Sequence, residues 1–96
     1  MQITNTIITK QATAESSIAK YQFEYTISEG RLTRVFASIF ALQPDENQSI
    51  AYIGNISCEN GMVNCSLPQN AEVVSHLEDF QDSMTRIQAD VKASLE

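Results

Sequence analysis

Alternating apolar and polar positions fill the first two thirds of the chain, and a repeat of three and four residues replaces them in the last third. Residues 2–10 are rich in β-branched types and predict a first strand, followed by a polar connection from Gln11 to Ser17. From Ile18 to Leu42 two long runs flank Glu29-Gly30, where glycine accepts the positive φ of a two-residue hairpin turn. Strands are therefore expected over 18–28 and 31–42. With that turn, Ser28 faces Arg31, Ile27 faces Leu32, Tyr25 faces Arg34 and Phe23 faces Phe36. One side then gathers Tyr21, Phe23, Tyr25, Ile27, Leu32, Phe36, Phe40 and Leu42 as a core layer. The other holds Lys20, Gln22, Glu24, Thr26 and Thr33 near the turn, and Val35, Ala37, Ile39 and Ala41 further along. A strand apolar on both sides belongs in the middle of a sheet.

Asn60-Gly61 marks a second hairpin, with strands over 50–59 and 62–67 and with Cys58 opposite Val63 and Ile56 opposite Cys65. Its apolar side is Ile50, Tyr52, Gly54, Ile56, Cys58, Val63, Cys65 and Leu67; the other carries Ala51, Ile53, Asn55, Ser57, Asn64 and Ser66. Gln43 to Ser49, with its Pro-Asp pair, is the loop between the hairpins. Pro68 ends the sheet, Asn70 is the expected N-cap, and a helix follows over 71–94. Val73, Leu77, Phe80, Met84, Ile87 and Val91 form its apolar stripe. At 1.5 Å per residue that helix is about 37 Å long, enough to lie along the sheet and cover the aromatic side. The expected fold is α+β: a mostly antiparallel meander of about five strands, with one long C-terminal helix packed on one face, residues 1–96 making a single domain.

Composition narrows the function. Twelve acids against six bases give a formal charge of −6, so nucleic acid and anionic membranes would repel the chain. The longest apolar-rich run, Val35 to Leu42, is far shorter than the roughly 20 residues of a membrane-spanning helix, and a cytoplasmic protein is expected. Leu95-Glu96 fits the end of an expression tag, and nothing rests on it.

Candidate chemistry is sparse. His76 has Asp79 and Ser83 on roughly the same side of the helix, but no nucleophile elbow exists, and the histidine is expected at the margin of the helix–sheet contact or in water. No catalytic residue is assigned, and an enzyme is not expected. Cys58, Cys65 and His76 match no zinc spacing; the two cysteines are diagonal neighbours and are expected as free core thiols. Asp45, Asn47 and Ser49 imitate the start of a calcium loop, but Ile50 stands where its glycine should be and Ile56 where its glutamate should be. No metal or cofactor is expected.

Surface remains. The expected interaction patch is Val35, Ala37, Ile39, Ala41 and Ile53 on the outer side of the sheet. The leading expectation is a small non-enzymatic protein–protein interaction module, binding a protein partner or itself as a homo-oligomer through that face or an unpaired edge strand. Two alternatives differ in kind. One is a small-ligand site between helix and sheet, lined by Tyr21, Tyr25, Tyr52 and Met84. The other is an acidic inhibitor or adaptor presenting Glu78, Asp79 and Asp82 to a basic protein.

Overall fold

A computed structural model describes residues 7–44, 46, 47 and 49–95 of the chain. Residues 2–6 of the expected first strand lie outside the described residues, as do Asp45 and Glu96. Five strands form one antiparallel sheet in chain order: β1 (Ile7–Glu15), β2 (Lys20–Ser28), β3 (Arg31–Phe40), β4 (Tyr52–Glu59) and β5 (Met62–Ser66). Helix α1 (Val73–Leu95) follows and covers one face. The fold is α+β, a five-stranded antiparallel meander with one C-terminal helix.

Both hairpins turn where the glycines require. Glu29 and Gly30 have φ of 53° and 80°, and Asn60 and Gly61 have φ of 52° and 82°. Positive φ at both central positions is the type I′ geometry, whose twist matches that of the flanking strands. Around the second turn, Glu59 pairs with Met62, Cys58 with Val63, Ser57 with Asn64 and Ile56 with Cys65, all in the expected register.

The first hairpin departs from expectation three residues beyond its turn. Ser28 pairs with Arg31 and Ile27 with Leu32, but Thr26 then pairs with Arg34 and leaves Thr33 without an opposite residue. Thr33 is a β-bulge, and its hydroxyl donates to the Thr26 carbonyl at 3.3 Å while its own carbonyl accepts the Asn60 N–H at 3.2 Å. A single extra residue sends every later side chain of the strand to the other face. Tyr25 therefore faces Val35, Phe23 faces Ala37 and Tyr21 faces Ile39. A second irregularity in the β3–β4 ladder, where Ile39 pairs with Gly54 and Phe40 with Tyr52, leaves Ile53 as the extra residue and turns Tyr52 outward.

β1 runs five residues past its expected end. Lys10, Ala12 and Ala14 turn toward the core side, while Gln11, Thr13 and Glu15 face out. The alternation is real but its inward residues are small, so the stretch resembles a polar loop. A short connection then returns the chain, with the Ser16 hydroxyl accepting from the N–H groups of Ile18 and Ala19.

The core lies between β2–β4 and the helix. Tyr21, Phe23, Tyr25, Ile27, Val35, Ala37, Ile39 and Ile56 supply the sheet's part, and Phe80, Ile87 and Val91 the helix's. The Phe23 and Phe80 rings stack at 6.3 Å between centroids, joining the two layers. Leu77 and Met84 pack at the side of this cluster. The helix begins two residues later than expected: Ala71 N–H donates to Pro68, closing a turn, and the His76 N–H makes its helical bond to Glu72. Glu72, not Asn70, sits at the cap position.

Candidate functional site

The expected outer patch is not on the outer face. Val35, Ala37 and Ile39 are at most 1% exposed and lie beneath α1, because the Thr33 bulge inverts the strand. Ile53 is half-buried and packs against that same core; Ala41 is half-buried, its N–H donating to the Ala51 carbonyl just past the strand. The residues expected inside, Phe36 and Phe40, face out instead. Arg34 lies over the Phe36 ring at 5.5 Å, and Phe40 meets Tyr52 edge-on at 5.6 Å. With Gln22, Glu24 and Ser38 beside them, these rings make the outer face a mixed surface of polar groups and aromatics, Phe36 and Phe40 half-buried and Tyr52 exposed.

Helix α1 is tied to β2 at two levels. Tyr21 donates its hydroxyl proton to Asp79 Oδ2 at 2.6 Å, and Tyr25 donates to Asp90 Oδ2 at 3.2 Å. Asp90 also meets Lys10 Nζ at 3.8 Å. His76 is buried, 3% exposed, with Nδ1 2.9 Å from the Tyr21 oxygen. Since the phenol has one proton and gives it to Asp79, the contact to His76 requires an N–H at Nδ1 donating to the phenol oxygen. The histidine expected at the margin or in water is a structural group inside the helix–sheet interface. Burial, and then the Asp79 carboxylate with its hydrogen bond and charge, push the Tyr21 hydroxyl well above its ordinary range; Tyr25 shifts the same way through burial and Asp90. Neither tyrosine is poised to lose a proton near neutral pH.

Asp79 is thus engaged by the sheet, while Glu78 and Asp82 are exposed. The acidic surface expected from three residues reduces to two free to meet a partner. Tyr21, Tyr25, Tyr52 and Met84 do not line one cavity: Tyr52 is on the opposite face, and the hydroxyls of Tyr21 and Tyr25 are taken up by the helix. Among the described residues no group of three or more His, Cys, Asp or Glu side chains is gathered as a metal site would gather them. None of the described helices is long and apolar enough to cross a membrane.

What the sheet leaves open is its β5 side. Four strand spacings make the sheet about 19 Å wide, and a helix with its side chains covers about 10–12 Å of it. α1 lies over the middle of the sheet, its backbone nearest β3 and its side chains tied to β2, so it does not cover β5. Every residue of β5 is exposed, and Val63, on the helix side of the sheet, is 55% exposed. Cys65, expected in the core, is also exposed, and Cys58 is half-buried; both are free thiols. A groove of about 360 Å³ lies between β5 and the helix, lined by Val63, Leu77, Phe80, Gln81, Met84, Thr85 and Gln88. None of these residues is charged. The helix's opposite flank borders β1 and β2, where Asp79, Asp82 and Arg86 share a cleft with Glu15 and Ser16.

The two edges of the sheet differ in kind. β1 carries Lys10 and Glu15 and has Ala12 and Ala14 partly packed on the core. β5, Met-Val-Asn-Cys-Ser, has neither charge nor proline. Charges, prolines and coverings are the usual means by which an edge strand is kept from pairing with another chain, and β5 lacks them. No protein-family model, curated protein or solved structure matches this chain.

Proposed function

We propose that this chain is a small, non-enzymatic protein–protein interaction module of the cytoplasm, binding through the β5 edge and the groove behind it. The observation that carries this reading is that β5 is an uncharged edge strand, exposed at every residue, with an apolar side chain directed into an open groove. Such an edge offers main-chain hydrogen bonds for strand addition, and the adjoining groove gives a partner side chain somewhere to pack. The engagement of His76, Asp79 and Tyr21 with one another supports a structural role for the chain's best candidate chemical groups. The charge of −6 disfavours a nucleic-acid partner. Two cysteines kept as free thiols suit a reducing compartment.

A photocrosslinker attached to Cys65 in a Cys58→Ser background tests the reading in cells, compared with the same reagent at Thr9→Cys on the β1 edge of a chain lacking both natural cysteines. Discrete adducts from Cys65, with none from position 9, are expected. Equal adducts from both edges, or none from Cys65, would show that β5 is not the binding element.

A further inference from the structure

We infer that the occupant of the β5 edge is a second copy of this chain, paired antiparallel about a two-fold axis perpendicular to the sheet. This inference rests on the reading of β5 as a binding element and names its partner. The argument is the distribution of charge. Each copy carries −6, so two copies repel over most of their surfaces, and a contact between them requires a surface from which acids are absent on both sides. The β5 strand and the groove behind it are such a surface, with the exposed Glu59 standing one strand in from the edge, opposite Met62. Met62 to Ser66 have no charge, and the helix flank facing them presents Leu77, Gln81, Met84, Thr85 and Gln88. A basic partner would be met by carboxylates, and those lie on the other flank and the top of the helix, at Asp79, Asp82 and Glu78.

Geometry agrees with self-pairing. Antiparallel association of two identical edges is isologous, so each β5 offers the other the same unpaired main-chain groups. The axis keeps both helices on one face of a continuous sheet and sets the two grooves side by side. Val63, Cys65 and Met84 of each copy then enclose one apolar channel, and the exposed valine and thiol are removed from water. If the axis falls at Val63 or at Asn64, the two copies of residue 63 are opposite or diagonal, about 5–8 Å apart.

Charge reversal at Val63 supplies the test. Because Val63 is already 55% exposed, Val63→Lys and Val63→Glu leave the monomer fold intact, which circular dichroism and a thermal melt verify. Sedimentation of the natural chain from micromolar to millimolar concentration is expected to show a species of twice 10.7 kDa, with the alternate amides of β5 that do not bond β4 gaining protection from hydrogen exchange as it forms. Each variant alone should raise the dissociation constant tenfold or more, and an equal mixture of the two should restore dimer. Added salt should tighten the natural dimer by screening the repulsion between acidic copies, whereas contact with a basic partner would loosen.

A mass of 10.7 kDa at every concentration overturns the second copy as partner and leaves the edge available to another protein. A dimer that both variants keep, with the outward amides of β5 still exchanging freely, overturns self-pairing through β5, while the β5 reading itself is decided by the cross-links from Cys65. If either variant fails to fold, carboxymethylation of the exposed Cys65 introduces the negative charge instead, and the same two outcomes decide.

Discussion

Tyr25 lies opposite Val35, one position beyond the Arg34 that an uninterrupted ladder from the Glu29-Gly30 turn would set there. Thr33 accounts for the difference, and the burial of Val35, Ala37 and Ile39 follows from its being left without an opposite residue. Deleting Thr33 would remove the extra residue and leave the ladder beyond it unchanged, with Arg34 opposite Thr26, Val35 opposite Tyr25 and the three side chains still beneath α1. What the deletion loses is the hydroxyl bond from Thr33 to the Thr26 carbonyl and the bond from the Asn60 N–H to the Thr33 carbonyl. At about 0.5–1.5 kcal/mol for each net hydrogen bond, that loss is roughly 1–3 kcal/mol. The shortened chain is expected to keep the same core and to unfold cooperatively at a lower melting temperature. Thr33→Ser, which keeps the hydroxyl bond to Thr26, should remain folded.

Tyr21 gives the sheet–helix contact a dependence on alkaline pH. Burial and Asp79 hold its hydroxyl above the free value near 10, so the folded state keeps the proton more firmly than the unfolded chain. The associated stability is fully present below about pH 10 and is lost as pH rises through the folded-state value. Tyr25 contributes in the same direction. Urea midpoints measured from about pH 8 to 12 should fall on the alkaline side, and Tyr21→Phe should flatten that fall. At neutral pH the same substitution strips Asp79 and His76 of a shared partner and should cost about 1–3 kcal/mol.

Two glycines separate space from conformation. A Cβ at Gly54 would collide with the Ser66 carbonyl oxygen and press on the Leu67 side chain, where β4 meets the end of β5. Gly54→Ala should cost about 1–3 kcal/mol and lower the melting temperature accordingly. At Gly61 a Cβ meets nothing within 4 Å, and the only obstacle is its φ of 82°. Gly61→Ala should therefore cost about 1–2 kcal/mol. Melting curves of the two variants compare crowding with backbone strain in the same protein.

Element types and order were legible because each rests on local chemistry. Glycine in the left-handed region set both turns, the three-four repeat from Val73 to Val91 set the helix, and the Asn60-Gly61 register was right at every pair. Faces were legible only where pairing was regular. A bulge announces itself by no residue type of its own: Thr33 looks like any strand threonine, and its bonds to Thr26 and Asn60 exist only once three strands are assembled. The patch at Val35, Ala37 and Ile39 was misplaced for that reason, and Tyr52 was misplaced by the extra residue at Ile53. The open β5 edge was half visible. A single helix was too narrow for five strands, but which half it would leave bare depended on Tyr21 and Tyr25 reaching Asp79 and Asp90, contacts 58 and 65 residues apart in the chain.

The meander also fixes an order of assembly. Every ladder joins strands that are consecutive in the chain, so the hairpins can zip from their turns with short closures, one after the next. Closing the helix onto β2 spans more than half the polypeptide, and its two tyrosine bolts have nothing to grip until Asp79 and Asp90 arrive on the helix. A ribosome would release those bolts' acceptors last, and until then the aromatic layer stands bare, the interval in which a nascent copy is most exposed to mispairing.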